Sequence, residues 1–175
     1  MLYAPTFRDD RHVSGVGYTG SVMLDFDALR ERFGSEWVVL FRPHYFIADS
    51  FDFSKYSGFV LNAAKADEIA ELMLASDVLI TDYSSVMFDY ANLRRPMLFY
   101  MYDFERYRDE IRGFYFSVDE LPGPIVKTQP ELEEELRRLA DFDARFGEKY
   151  SRFCEKYVPL DDGNAARRAA ELLKR

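Results

Sequence analysis

Two adjacent hydroxyls, Ser84 and Ser85, follow Thr81-Asp82-Tyr83 at a point where the sequence changes its period. Before them, Asp77-Val78-Leu79-Ile80 is a short apolar run with β-branched residues, which predicts a buried strand. After them, Val86 to Arg94 reads as a helix stopped by Pro96. The start of a helix carries backbone N–H groups without intrahelical partners and the positive end of the dipole, so it favours an anion. Each serine adds one hydroxyl donor. A serine that only caps the helix fits the same position, and the segment alone leaves both readings open.

Other residues with chemistry to offer also stand at predicted strand ends. Glu36-Trp37-Val38-Val39-Leu40-Phe41 reads as a buried strand that delivers Arg42, Pro43 and His44 to its C-terminal end. Leu2 to Ala4 reads as a first strand ended by Pro5-Thr6. Arginine donates two parallel hydrogen bonds to a phosphate. Histidine donates a hydrogen bond, or a proton to a leaving group. Asp89 lies about one helical turn past Ser85, so it can face the same cleft. A carboxylate there repels phosphate, so its expected ligand is a sugar or glycerol hydroxyl. Taken singly, Arg42 suits a surface ion pair, His44 a structural histidine and Asp89 a solvated or capping acid. Their joint arrival at one rim is what points to phosphate. Asp25-x-Asp27 has the look of a metal pair, but acids at a helix start explain it as well, and no metal is expected.

These residues need a scaffold that brings distant loops together. Gly58 to Asn62, Pro96 to Tyr100 and Ile125-Val126 complete a set of six candidate strands. Helices are predicted from Asp25 to Phe33, with Phe26, Leu29 and Phe33 on one face, and from Asp67 to Ala75. Thr128 has capping-box spacing to Glu131, ahead of a helix marked by Leu132, Leu136 and Leu139. Two further helices follow, near 144–156 and from about Asn164 to Leu173. Residues 15–20 are glycine-rich but lack the spacing of a dinucleotide fingerprint and read as a flexible loop. Strand–helix alternation through residue 100 predicts an α/β fold, a Rossmann-like doubly wound parallel sheet with right-handed crossovers. In such a sheet the ligand lies beyond the C-terminal strand ends at the switch in strand order. If strand one neighbours strands two and four, Pro5-Thr6, Arg42-Pro43-His44 and Ser84-Ser85 share one mouth.

Composition narrows the partners. The chain has 175 residues, 48% of them hydrophobic, enough for one domain with a substantial core. A net charge of −8 argues against nucleic acid and gives no support to a polybasic membrane patch. Twelve tyrosines and 16 phenylalanines must largely pack, though tyrosines near a cleft can also stack on a base. The single cysteine, Cys154, forms no internal disulfide, and a reducing compartment fits that. No stretch approaches the length of a membrane span. The chain opens directly on a strand, which suggests a piece of a longer protein.

Several segments together resemble the C-terminal half of the CDP-glycerol glycerophosphotransferases, the teichoic acid polymerases of bacteria. They are Leu2-Tyr3-Ala4-Pro5-Thr6-Phe7-Arg8-Asp9, Phe41-Arg42-Pro43-His44-Tyr45 and, most specific, Asp77 through Asp89. Arg112-Gly113-Phe114-Tyr115, Leu121-Pro122-Gly123-Pro124 and Asp162-Gly163 match in order. The resemblance implies one half of a GT-B fold that spans residues 1–175 and holds the nucleotide donor. The helices from about 130 onward would pack on the sheet or reach the missing half. It implies that Pro5, Thr6, Arg42, Pro43, His44, Ser84, Ser85 and Asp89 contact CDP-glycerol, with His44 in the catalytic role and Arg112 a further candidate. The implied reaction is attack of a chain-terminal hydroxyl on the glycerol-bearing phosphorus, with CMP leaving and no cofactor. Its implied partners are a teichoic acid or lipid-linked glycerol-phosphate acceptor and the missing N-terminal half. Its implied place is the cytoplasmic face of the bacterial membrane. The family's Trp-His-Gly-Thr-Pro segment, with its implied general base, does not occur here, so this chain alone is expected to bind donor and turn over little. A CDP-ribitol or nucleotide-sugar transferase is an alternative on the same scaffold. A non-catalytic or receiver-like α/β module is disfavoured, because the first strand ends in Pro5-Thr6 and the third in Asn62-Ala63 rather than in acids.

Overall fold

The computed structural model describes residues 1–6, the backbone of 12–13 and 17–18, and residues 22–43 and 52–174. Six parallel strands form one sheet: β1 (Leu2–Tyr3), β2 (Val39–Phe41), β3 (Val60–Asn62), β4 (Leu79–Thr81), β5 (Met97–Tyr100) and β6 (Ile125–Val126). Their order is β3-β2-β1-β4-β5-β6. This is the dinucleotide-fold order, and its reversal lies between β1 and β4. Leu2 is in register with Leu40 on one side and Leu79 on the other. The central strands are continuous apolar runs because both of their faces are covered. Leu2, Leu79, Ile80, Met97, Leu98 and Phe99 are all fully buried.

The helices follow the expected stripes with shifted ends. In α1 (Phe26–Phe33) the buried residues are Phe26, Leu29 and Phe33. Asp25 caps it by accepting from the N–H groups of Asp27 and Ala28, and Asp27 accepts from Lys55 and the Tyr56 hydroxyl. Both acids of the Asp-x-Asp pair thus have structural partners. In α2 (Ile69–Ala75) Met73 is buried. Helix α3 (Val86–Ala91) stops before Arg94, which adopts φ 55°. After β5 come a single helical turn, α4 (Phe104–Arg106), and a π-helical turn, Tyr107–Ile111. The predicted capping box is present ahead of α5 (Gln129–Arg137): Thr128 accepts from the Glu131 N–H, and Glu131 accepts from the Thr128 N–H. Helices α6 (Phe142–Tyr157) and α7 (Ala165–Leu172) end the fold. Within the stretch read as a glycine loop, Gly17–Tyr18 pairs antiparallel with His12–Val13. Among the described residues, no helix is long and apolar enough to cross a membrane.

Two glycines give opposite expectations. Residues Pro122-Gly123-Pro124 run close against β5, where the Phe99 N–H donates to the Pro124 carbonyl at 2.9 Å. A Cβ on Gly123 would fall on the Met97 carbonyl oxygen, and backbone cannot step aside as a flexible side chain can. Gly123→Ala is therefore expected to destabilise by about 3 kcal/mol or more. Gly147 sits inside α6 with open space around the same position, so Gly147→Ala should stabilise by about 0.5–1 kcal/mol. Urea unfolding of the two variants checks both signs.

Candidate functional site

The polar centre of the switch point is Asp82, which is 2% exposed. One of its oxygens, Oδ1, accepts from the Thr6 N–H at 2.7 Å, the Thr6 hydroxyl at 2.6 Å and the Tyr83 N–H at 2.7 Å. Just below it, the buried Thr81 hydroxyl donates to the Ala4 carbonyl at 2.7 Å, and the Ala4 N–H donates to the Ile80 carbonyl at 3.0 Å. The loops after β1 and β4 are thereby joined. Several donors thus replace the water that burial takes from this side chain.

Ser84 and Ser85 follow at the start of α3. The Ser84 Oγ accepts from the Val86 N–H at a long 3.4 Å, and Ser85, at the N-cap position, makes no side-chain capping bond. The capping alternative thus falls weakly on Ser84 and not on Ser85. Both serines border a cavity of about 570 Å³, together with Thr6 and Asp82. Its far wall is aromatic. The Tyr83 ring stacks on Tyr107 with centroids 3.6 Å apart, and Phe114 lies against both at 5.6 and 5.8 Å. The Tyr83 hydroxyl donates to Asp103 at 3.1 Å, which ties the β4 turn to the segment after β5. The π-helical turn brings the N–H groups of Arg112 and Gly113 onto the single Tyr107 carbonyl, and Gly113 takes φ 68°, a conformation that suits glycine. Arg112 is part of the cavity lining with the serines. Hydroxyl donors and a guanidinium around one space can grip a phosphate, while stacked rings give it a rigid apolar side.

A profile of CDP-Glycerol:Poly(glycerophosphate) glycerophosphotransferases matches residues 1–174 of this chain. The chain belongs to this family. The teichoic acid poly(glycerol phosphate) polymerase of Bacillus subtilis is 42% identical over 167 residues, which cover 95% of this chain and 22% of the relative. The teichoic acid glycerol-phosphate transferase of Staphylococcus aureus is 39% identical over 174 residues, covering 99% of this chain and 44% of the relative. The solved structure of the wall teichoic acid polymerase TagF superposes with a TM-score of 0.88 at 39% identity, over 99% of this chain and 42% of that one. A histidine-to-asparagine variant of TagF soaked with CDPG superposes at 0.85. The fold is therefore that of a GT-B-type teichoic acid polymerase, of which this chain spans less than half the length of these relatives.

Of the residues singled out in the sequence, Thr6, Ser84 and Ser85 line the cavity, and Arg112 joins them. Pro5 directly precedes Thr6 and is half-buried. Arg42 and the buried Pro43 follow β2, next to β1, but the Arg42 guanidinium donates to the carbonyls of Ala63 and Ala64, both at 2.6 Å. It binds the loop after β3 and is not part of the cavity lining. His44 lies outside the described residues. Asp89 is exposed on α3, and it is Met87 and Phe88 that α3 gives to the cavity. Asp82, Tyr83, Tyr107, Phe114 and Phe116 were not singled out. An acid directly after an apolar strand was a usable signal for Asp82, but Thr6, 76 residues away, was not.

Tyr83→Phe removes one hydrogen bond and keeps the stacked ring. It should cost about 1 kcal/mol, as should Asp103→Ala, and the double variant should cost clearly less than the sum. Chemical denaturation of the three variants checks the coupling; full additivity would deny the link between the β4 turn and the segment after β5.

Proposed function

We propose that this chain is the donor-binding part of a glycerophosphotransferase. It binds CDP-glycerol and supports transfer of glycerol phosphate to a teichoic-acid-type acceptor. The observation that carries the reading is one cavity at the β1/β4 switch point shared by Thr6, Ser84, Ser85 and Arg112, in a chain that belongs to this family. The serine hydroxyls and the Arg112 guanidinium suit the two linked phosphates. Pro5 after β1, Arg42, Pro43 and His44 after β2, and Asp89 on α3 are the further proposed donor contacts, with Asp89 on a hydroxyl.

In the reaction, an acceptor hydroxyl forms a new bond to the glycerol-bearing phosphorus, and the bond from that phosphorus to the CMP oxygen breaks. Negative charge grows on the departing oxygen, and donors already in place stabilise it without rearranging. His44 is the group proposed to hydrogen-bond or protonate that oxygen. The base that takes the acceptor proton is proposed to come from the remainder of a longer polypeptide, as is contact with the cytoplasmic face of the membrane. A surface with a net charge of −8 suits neither an anionic bilayer nor nucleic acid.

CDP-ribitol is the second reading. It has its own support: the teichoic acid poly(ribitol-phosphate) polymerase of Bacillus spizizenii is 39% identical over 176 residues, covering 98% of this chain and 27% of that protein.

Thermal unfolding with CDP-glycerol, CDP-ribitol, CDP and UDP-sugars tests the proposal. Ligand at about 100-fold over its Kd should stabilise by about 2.7 kcal/mol. CDP-glycerol should act at the lowest concentration, and Ser85→Ala or Arg112→Ala should raise the concentration needed by about tenfold. Absence of any shift with all of the cytidine ligands would refute donor binding, and a lower threshold for CDP-ribitol would select the second reading.

A further inference from the structure

Thr6 has two hydrogen-bond donors, its backbone N–H and its hydroxyl, and both are given to Asp82 Oδ1 at 2.7 and 2.6 Å. A threonine hydroxyl has one proton and two lone pairs. With that proton committed to a buried carboxylate, Thr6 meets anything in the cavity only as an acceptor. An acceptor attracts a hydroxyl and repels a phosphate oxygen. Ser84 differs: its oxygen accepts from the Val86 N–H at a long 3.4 Å, and that bond leaves its proton for a ligand. Of three hydroxyls that look alike in the sequence, it is Thr6 whose proton is directed at a carboxylate, and Asp82 is the cause.

Resting on the reading of this cavity as a CDP-alditol site, we propose that Asp82 is a positioning residue that fixes Thr6 as a hydroxyl-recognising acceptor. Ser84, Ser85 and Arg112 are left to recognise the phosphates. The hydroxyl Thr6 selects belongs to the ribose or to the glycerol of the donor. Asp82 itself acts through Thr6: its Oδ1 is already the acceptor of three protein hydrogen bonds.

The experiment is calorimetric titration of this chain with three probes: CDP-glycerol, CDP, and 2′,3′-dideoxy-CDP, which keeps both phosphates and lacks the ribose hydroxyls. Thr6→Val removes the hydroxyl at nearly constant shape and leaves Asp82 unchanged. It should weaken ligands that carry the recognised hydroxyl by about tenfold and leave dideoxy-CDP unchanged. Loss for CDP-glycerol alone assigns the glycerol; equal loss for CDP-glycerol and CDP assigns the ribose. Thr6→Ser should restore the wild-type preference. Asp82→Asn should erase that preference, because a neutral partner lets the Thr6 proton turn toward the ligand. Equal weakening of all three probes by Thr6→Val would make Thr6 a phosphate ligand and overturn the proposal. So would a wild-type preference in Asp82→Asn. If Asp82→Asn does not fold, Thr6→Val and Thr6→Ser decide alone. Wild-type protein that binds none of the probes would instead remove the donor-site reading itself, and that outcome is visible before any substitution is made.

Discussion

Asp82 Oδ1 accepts three hydrogen bonds at 2.6–2.7 Å from residues on two loops, and the geometry of the cavity mouth follows from them. Strand order makes this possible. Only because β1 lies beside β4 do Thr6 and Asp82 come within reach across 76 residues of chain. Burial then makes the contact strong, since a carboxylate at 2% exposure has little water to fall back on. Without the carboxylate, two backbone N–H groups and a hydroxyl at the switch point would lose their acceptor together, each at a cost of about 1–3 kcal/mol if left unsatisfied. Residues 4–6 after β1 and the turn after β4 are thus tied together by one shared acceptor.

The opposite wall is built by a different force. Tyr83 belongs to the same turn as Asp82, yet its ring lies against Tyr107 and Phe114, and its hydroxyl reaches Asp103. Stacked and offset rings hold a loop rigid through contact area, with few rotatable bonds to order. The π-helical turn adds one residue to the local helix, and two successive N–H groups then share the Tyr107 carbonyl. Such turns are frequent at functional sites, and here Arg112 directly follows the turn and lines the cavity. Residues 82 and 83 therefore face two ways: one fixes the polar rim, the other fixes the wall carrying the guanidinium.

What the sequence revealed was local. Apolar runs such as Val78-Leu79-Ile80 and Met97-Leu98-Phe99 announced strands buried on both faces, and Thr128 with Glu131 announced a helix start, because each signal lies within a few residues. Strand alternation then limited the sheet to a few orders, and the one that unites Thr6 with Ser84 and Ser85 is the one that forms. Partners set by tertiary packing were not legible. Arg42 has the composition of a phosphate ligand, and nothing in its spacing announces that its Nη1 donates to the Ala63 and Ala64 carbonyls at the end of the neighbouring strand. Asp89 has helical spacing from Ser85, yet α3 is only six residues long and turns Met87 and Phe88 to the cavity. Phe114 and Tyr107 are separated by an irregular stretch, so no period marks them as one wall. Spacing reports which face a residue shares with its neighbours in sequence; it does not report which donor another loop has already claimed.

An acidic chain that grips an anion must do so at short range. The net charge of −8 gives a repulsive far field, but mobile ions screen it beyond about 10 Å at 0.1 M salt. In the proposed donor site, hydrogen bonds from Ser84, Ser85 and Arg112 would act at about 3 Å, well inside that length, in a cavity that stacked rings also line. Asp82, an acid in the cavity lining, is engaged by local hydrogen bonds: the Thr6 and Tyr83 donors stand around its Oδ1. Engaging that carboxylate and shaping the site are one and the same act, because the donors that surround Asp82 belong to the rim that meets the ligand. The rim proposed above is polar in both senses, accepting at Thr6 and donating at the serines. That is the pattern a ligand with hydroxyls next to phosphates requires, and a uniformly basic pocket would not supply it.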